Sequence, residues 1–168
     1  MTKLETINLD QQYAGDVELI WSYWSDLENL CIFSSEVLES RVVTSIKKGI
    51  GAQRICVMKN GGEIRETVKS YSEEDHFFEL SVETDFLPYK EALVSFSISE
   101  VSRGISKVNV QMRFVPRFSF LGVMLSKIII KPNIKRMFNK LLEDFEIYFA
   151  RIERKDFLIN SQLEIVGD

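Results

Sequence analysis

One histidine, His76, and two cysteines, Cys31 and Cys56, leave the chain little from which to build a metal centre. A zinc site needs clustered His or Cys ligands, and the cysteines stand in separate predicted elements without CxxC or metal-ligand spacing. The same scarcity leaves no Ser-His or Cys-His nucleophile to assemble. No catalytic residue, metal or other cofactor is therefore assigned. His76 follows Glu73, Glu74 and Asp75 in a polar turn and reads as a solvated loop residue. The cysteines read as small buried hydrophobes kept as free thiols. Basic excess is missing too. A net charge of −4 argues against a nucleic-acid partner, whose phosphates demand a positive surface. No apolar run approaches the roughly 20 residues that span a bilayer. No basic head followed by an apolar segment marks a signal peptide, so the expected location is cytoplasmic.

What the chain does have is aromatic bulk and a long amphipathic stretch. Its 168 residues suit one domain, and 12 of them are Phe, enough for an aromatic core or a ring-lined pocket. Between about Phe118 and Arg154, apolar residues recur as Leu121, Leu125, Ile128, Ile134, Met137, Phe138, Leu141, Phe145, Tyr148, Phe149 and Ile152. Steps of three and four place them on one stripe of a helix, with Lys135, Asn139, Glu143 and Glu146 opposite. Pro132 should begin or kink that helix, because its ring removes an N–H and crowds the preceding turn. The segment Phe118 to Lys131 is then free to move apart from the rest. A long helix with one apolar face needs a large concave partner.

Most of the preceding chain supplies strands. Leu4 to Leu9 reads as a first strand, and Asp16 caps a helix over Val17, Ile20, Trp21 and Trp24. A second short helix is expected over about Asp26 to Phe33. Val37 to Ser45 is strand, and Gly49-Ile50-Gly51 marks a turn or bulge. Ala52 to Met58 and Glu63 to Tyr71 flank Lys59-Asn60-Gly61-Gly62, a strong hairpin signal because Asn and Gly tolerate positive φ. Phe77 to Glu83, Glu91 to Val101 and Ile105 to Val115 complete a meander. Val108, Val110, Met112 and Phe114 alternate with Asn109, Gln111 and Arg113, as a strand with one wet face does.

This order of one strand, two short helices, six strands and a long helix resembles the START-like helix-grip superfamily (SRPBCC), which includes polyketide cyclases, plant ligand receptors and lipid carriers. The resemblance covers about residues 3 to 152. It rests on Val17-x-x-x-Trp21-x-x-x-Ser25-Asp26, on Gly49-Ile50-Gly51-Ala52-Gln53-Arg54, on Glu66 after the Asn-Gly hairpin, and on the final helix. It implies an α+β fold in which a curved seven-stranded antiparallel sheet wraps the helix around an apolar cavity. Residues 1–154 would form the START-like ligand-binding domain and 155–168 a C-terminal extension, whose Phe157, Leu158, Ile159, Leu163, Ile165 and Val166 are too apolar for a solvated tail. The short Lys59–Gly62 turn stands where the plant receptors carry a proline-bearing gating loop, which argues against a receptor of that kind.

Strand parity puts Glu66 among Ile64 and Val68, and Arg54 beside Cys56 and Met58, on the face that should point inward. A buried carboxylate is tolerable beside a guanidinium, so the pair is either an internal register-setting ion pair or a polar anchor for a ligand. Trp21, Trp24 and Phe33 either line the cavity mouth or seat the short helices. Phe78, Phe96, Val110, Ile134 and Phe138 are expected to bound the pocket, giving Arg54, Glu66, Trp21, Phe78, Phe96, Val110, Ile134 and Phe138 as candidate ligand-binding residues. Arg117, Lys127, Lys131, Lys135, Arg136 and Lys140 run without an acidic residue among them and interleave with apolar side chains. That pattern suits either a solvated helix face or peripheral contact with an anionic membrane. The leading expectation is a non-catalytic binder of a hydrophobic small molecule or lipid. A membrane-visiting lipid or quinone carrier and a polyketide cyclase or aromatase are the alternatives. Oligomeric state is not legible.

Overall fold

The computed structural model describes residues 4–85, 89–117 and 126–166. Seven strands, β1 (Glu5–Ala14), β2 (Val37–Val42), β3 (Gln53–Met58), β4 (Glu63–Ser72), β5 (Phe77–Glu83), β6 (Tyr89–Ser102) and β7 (Ile105–Pro116), form one antiparallel sheet. Their spatial order is β1-β7-β6-β5-β4-β3-β2, so six strands pair with their chain neighbours and β1 closes against β7. Two short helices, α1 (Val17–Ser25) and α2 (Leu30–Phe33), bridge β1 to β2. A π-helical turn (Ser126–Ile130) leads into the long helix α3 (Lys131–Val166). The architecture is the expected helix-grip α+β fold.

Alternation builds the inner face of the sheet. Val94, Phe96 and Ile98 on β6 and Val108, Val110, Met112 and Phe114 on β7 are all buried. Register shifts at Val37/Glu39, Val68/Ser70, Tyr89/Glu91 and Glu100/Ser102 bend the strands, as an extra residue on one side of a pair does. Against this face lie Ile134, Phe138, Leu142, Phe145 and Phe149 of α3, all buried. The helix is pinned by specific contacts as well. Tyr13 on β1 donates to the Leu142 carbonyl at 3.0 Å. Gly15 lets the Phe149 ring approach so closely that a Cβ there would meet it at 2.5 Å.

Local expectations met the structure unevenly. Asp16 caps α1, accepting from the Glu18 and Leu19 amides at 2.9 and 3.3 Å. Gly61 has φ of 84° in the Asn-Gly hairpin, and the Gly62 amide donates to Asn60 Oδ1 at 3.0 Å. β1 continues to Ala14, past Leu9, pairing with β7 along its whole length and burying Tyr13 near its end. α2 starts only at Leu30, since Asp26 Oδ1 accepts from the Glu28 amide at 3.0 Å and holds a turn there instead. α3 does not stop near Arg154 but runs to Val166, with no Gly or Pro to interrupt it between Asn133 and that point. Pro132 lies where the π turn gives way to regular helix, as its missing N–H requires. Ile128 is 70% exposed rather than part of the buried stripe, and Leu142, which the sequence stripe omitted, is its best buried leucine. Leu121, Leu125 and most of the segment expected to move separately lie outside the described residues.

Candidate functional site

A cavity of about 90 Å³ lies between the N-terminal half of α3, helix α2 and the inner face of the sheet. Met137, Phe138 and Leu141 form the helix wall, with Trp24 and Phe33 on one side and Phe78, Val94 and Phe96 on the sheet floor. The exposed side chains of Asp26 and Glu36 also line it, so it reaches the surface beside α2. The linker after α2 is fixed there by α3: the Ser35 amide donates to Asp144 at 2.8 Å, and Lys140 pairs with the same carboxylate. Burial opposes ionisation of Asp144, but those hydrogen bonds outweigh it and hold its carboxyl below the ordinary value.

The polar part of the cavity is set by the Asn-Gly hairpin. The turn fixes a register in which Arg54 of β3 faces Glu66 of β4, with Val42 and Val82 beyond them on the neighbouring strands. Arg54 Nε donates to Glu66 Oε2, and a second guanidinium nitrogen donates to the Leu27 carbonyl at 3.0 Å. The two side chains are only 5% and 13% exposed. Burial works against the Arg54 charge, but the Glu66 carboxylate more than restores it, so the guanidinium titrates above its ordinary value. Cys56 Sγ lies 3.7 Å from both Glu66 Oε2 and Ser40 Oγ. Burial pushes this thiol up to about 12, so it is a neutral side chain and a poor nucleophile. Tyr89, buried and also lining the cavity, is raised by desolvation first and by the Glu66 charge second.

Five of the eight residues expected at the site line the cavity: Arg54, Glu66, Phe78, Phe96 and Phe138. Trp21, Val110 and Ile134 are buried elsewhere. Trp21 packs against Tyr71, His76 and Phe78 and donates to Glu73 Oε1 at 3.0 Å; its one-turn neighbour Trp24 takes the cavity position. Val110 and Ile134 meet well-packed parts of the same interface, a difference that parity and helical spacing do not encode. Tyr89 was missed because the strand was expected to begin only at Glu91, whereas β6 starts at Tyr89 with a register shift between the two. His76 is not a solvated loop residue. Its side chain is 15% exposed, its Nε2 lies 3.0 Å from Glu18 Oε1, and its ring rests on Trp21. Both cysteines are free; Cys56 is buried and Cys31 only half-buried.

Among the described residues there is no cluster of three His, Cys, Asp or Glu side chains placed to hold a metal, and no helix is long and apolar enough to cross a membrane. No family model matches the sequence, and neither does any curated protein sequence. Solved structures do match. A START superfamily protein from Mycobacterium smegmatis superposes with a TM-score of 0.69 at 15% identity, covering 89% of this chain and 97% of the other. Major latex-like protein 151 from Panax ginseng gives 0.73 at 10% identity, covering 86% and 97%. A Thalictrum norcoclaurine synthase point mutant, solved with a transition-state analogue, gives 0.68 at 10% identity, covering 89% and 98%. At these identities the likeness is one of fold.

Proposed function

Taking as premise that this chain has the START-like helix-grip fold, we propose that it binds a hydrophobic small molecule or lipid in the cavity beneath α3 and catalyses no reaction on it. The observation that carries this reading is a largely apolar cavity in which one buried ion pair, Arg54–Glu66, supplies the polar contact. Ring and aliphatic walls would take the body of the ligand, and the pair would orient its polar group. Catalysis would need an acid and a base matched near neutral pH. Arg54 keeps its proton, and Cys56 and Tyr89 are shifted upward, away from that range. Among the cavity walls, Phe78, Phe96 and Phe138 would contact the ligand; Trp21, Val110 and Ile134 would support them from behind. The ligand-binding unit would span residues 1–154. Residues 155–168 would be a C-terminal extension to that unit; among the described residues, the wall that α3 gives the cavity runs from Met137 to Leu141. A cytoplasmic protein of this kind would work on metabolites or on lipids withdrawn from a bilayer.

The test is native mass spectrometry of freshly purified protein together with titration of an environment-sensitive apolar dye. Saturable one-to-one dye binding, displaced by the co-purified molecule, is the expected outcome. A dye that fails to bind the folded protein removes the reading, and turnover of a polyketide-like substrate would replace it with the cyclase alternative.

A second reading, a carrier that visits membranes, is favoured by one observation. Ile128 and Ile129, at 70% and 49% exposure, stand beside exposed Lys135 and Arg136 at the start of α3. Apolar tips among basic charges suit an anionic membrane surface, and the series Arg117–Lys140 would make that contact. Co-sedimentation with anionic vesicles but not with neutral ones, lost in a Lys135→Glu/Arg136→Glu variant, is the expected result.

A further inference from the structure

The charge balance and hydrogen-bonding capacity of the cavity narrow the ligand further, on the footing of the binding reading above. Among the described lining residues Arg54 is the only cationic side chain, and its charge is already matched by Glu66. Two of its donors are engaged, one by Glu66 and one by the Leu27 carbonyl. Asp26 and Glu36 add two carboxylates toward the opening, so the described lining residues carry three acidic groups against one basic group. An anionic ligand would enter past those carboxylates and find, among the described lining residues, no unmatched cation. A cationic ligand would add a third buried charge to a pair already neutralised, with only the exposed Asp26 and Glu36 carboxylates at the opening to oppose its desolvation cost.

At Glu66 the site retains acceptor capacity, beside the Arg54 N–H groups other than the two already engaged. A carboxylate has about four lone-pair positions. The structure occupies Glu66 with the Arg54 Nε–H and a long contact from the Cys56 thiol at 3.7 Å. Tyr89, whose ionisation is raised by burial and by that same carboxylate, lines the cavity as a neutral phenol able to give or take a hydrogen bond. Around these groups stand the rings of Trp24, Phe33, Phe78, Phe96 and Phe138. The volume, about 90 Å³, exceeds the roughly 10–15 Å³ that admits one water but is below the roughly 300–1,000 Å³ of drug-sized pockets.

We infer that the cavity selects a neutral, single-ring-sized aromatic or cyclic compound bearing an O–H or N–H donor, and that the Glu66 carboxylate accepts that hydrogen bond while Arg54 holds the carboxylate in place. Ring walls favour a flat body, and the matched ion pair favours a ligand without charge.

Isothermal titration of the full chain with four matched probes tests this: p-cresol, toluene, p-toluate and p-methylbenzylamine. The expected ranking puts p-cresol about tenfold or more ahead of toluene, the difference a hydrogen bond to a charged acceptor makes. Both ions should bind more weakly than p-cresol. Toluene binding as well as p-cresol, or either ion binding more tightly, overturns the inference and leaves the binding reading standing. If none of the four binds while a larger apolar dye does, the size and donor assignment falls alone; if the dye also fails, both fall. Two variants, each first shown to be folded by its thermal melt, locate the acceptor. Arg54→Met/Glu66→Met should bring the p-cresol to toluene ratio to about one. Glu66→Gln uncovers the Arg54 charge and should raise p-toluate affinity about tenfold or more, the added carboxylate taking the place of the lost one. An unchanged ranking in both variants overturns the assignment to Glu66.

Discussion

Phe138 and Phe145 sit two turns apart on the same face of α3, and both are buried. Phe145 is held by rings on every side: Tyr13, Trp24, Phe33 and Phe149 have centroids at 5.2, 5.2, 5.0 and 5.5 Å from its own. Phe138 instead forms one wall of the cavity that holds Arg54 and Glu66. One helix face therefore serves two purposes: toward its C-terminal side it is close-packed core, and toward its N-terminal side it roofs an unfilled space. Both ends carry the same residue type at the same helical phase. The separation comes from what the sheet and the short helices bring opposite each ring.

Truncating the packed ring should have the largest effect. Phe145→Ala should destabilise by about 5 kcal/mol, the top of the roughly 3–5 kcal/mol range for buried Phe, because edge-to-face contacts worth about 0.5–1.5 kcal/mol each are lost with the buried area. Chemical denaturation at constant m-value measures it. Breaking the cavity pair comes next. Arg54→Met or Glu66→Met alone should cost about 3–5 kcal/mol by leaving one buried charge unpaired, and the double replacement should recover most of that. Single variants that melt with the wild type would place the pair in contact with solvent and erase the contrast between the two ends. If the double variant recovers stability but not binding, the pair anchors a ligand as well as setting register.

Phe138→Ala should cost less than Phe145→Ala, about 3 kcal/mol or below, because its ring already borders open volume and little packing is lost. Equal losses at the two positions would mean that the roof is as tightly packed as the core. The smallest effect lies outside both regions, at Glu73. The hydrogen bond from Tyr71, with further ones from Lys48 and Trp21, outweighs desolvation and lowers its carboxyl from an ordinary 4.5 to about 2. A folded-state value below the unfolded one contributes stability above the unfolded pKa and loses it as pH falls through the folded pKa. The melting-point difference between wild type and Glu73→Gln should thus stay constant from neutral pH to about 5 and shrink towards pH 2. Glu73 is largely exposed, so the difference should be slight. A difference that grows on acidification would contradict the assignment.

The contrast also marks where sequence reading reached and where it stopped. Parity along β3 and β4 placed Arg54 and Glu66 on the inner face, and the Asn-Gly hairpin fixed them opposite one another. Period-two reasoning holds wherever two strands join through a tight turn without a bulge. It did not reach Tyr89, which lies ahead of the strand expected from Glu91 and is buried beyond a register shift. Spacing along α1 found both tryptophans but singled out Trp21 for the site, where the structure puts Trp24. Trp21 and Trp24 are one turn apart and equally apolar, and only the neighbours decide that one meets Glu73 and the other the cavity.

The sequence by itself determined the element order, the Asp16 cap, the hairpin turn and the inward face of nearly every strand, because local hydrogen bonds and the periods of helix and strand act over a few residues. Tertiary structure alone decided which part of the inner face is filled and which is hollow. Filling depends on how side chains far apart in the chain meet in three dimensions, so Phe138 and Phe145 read alike in the sequence and differ only once the sheet has closed around them.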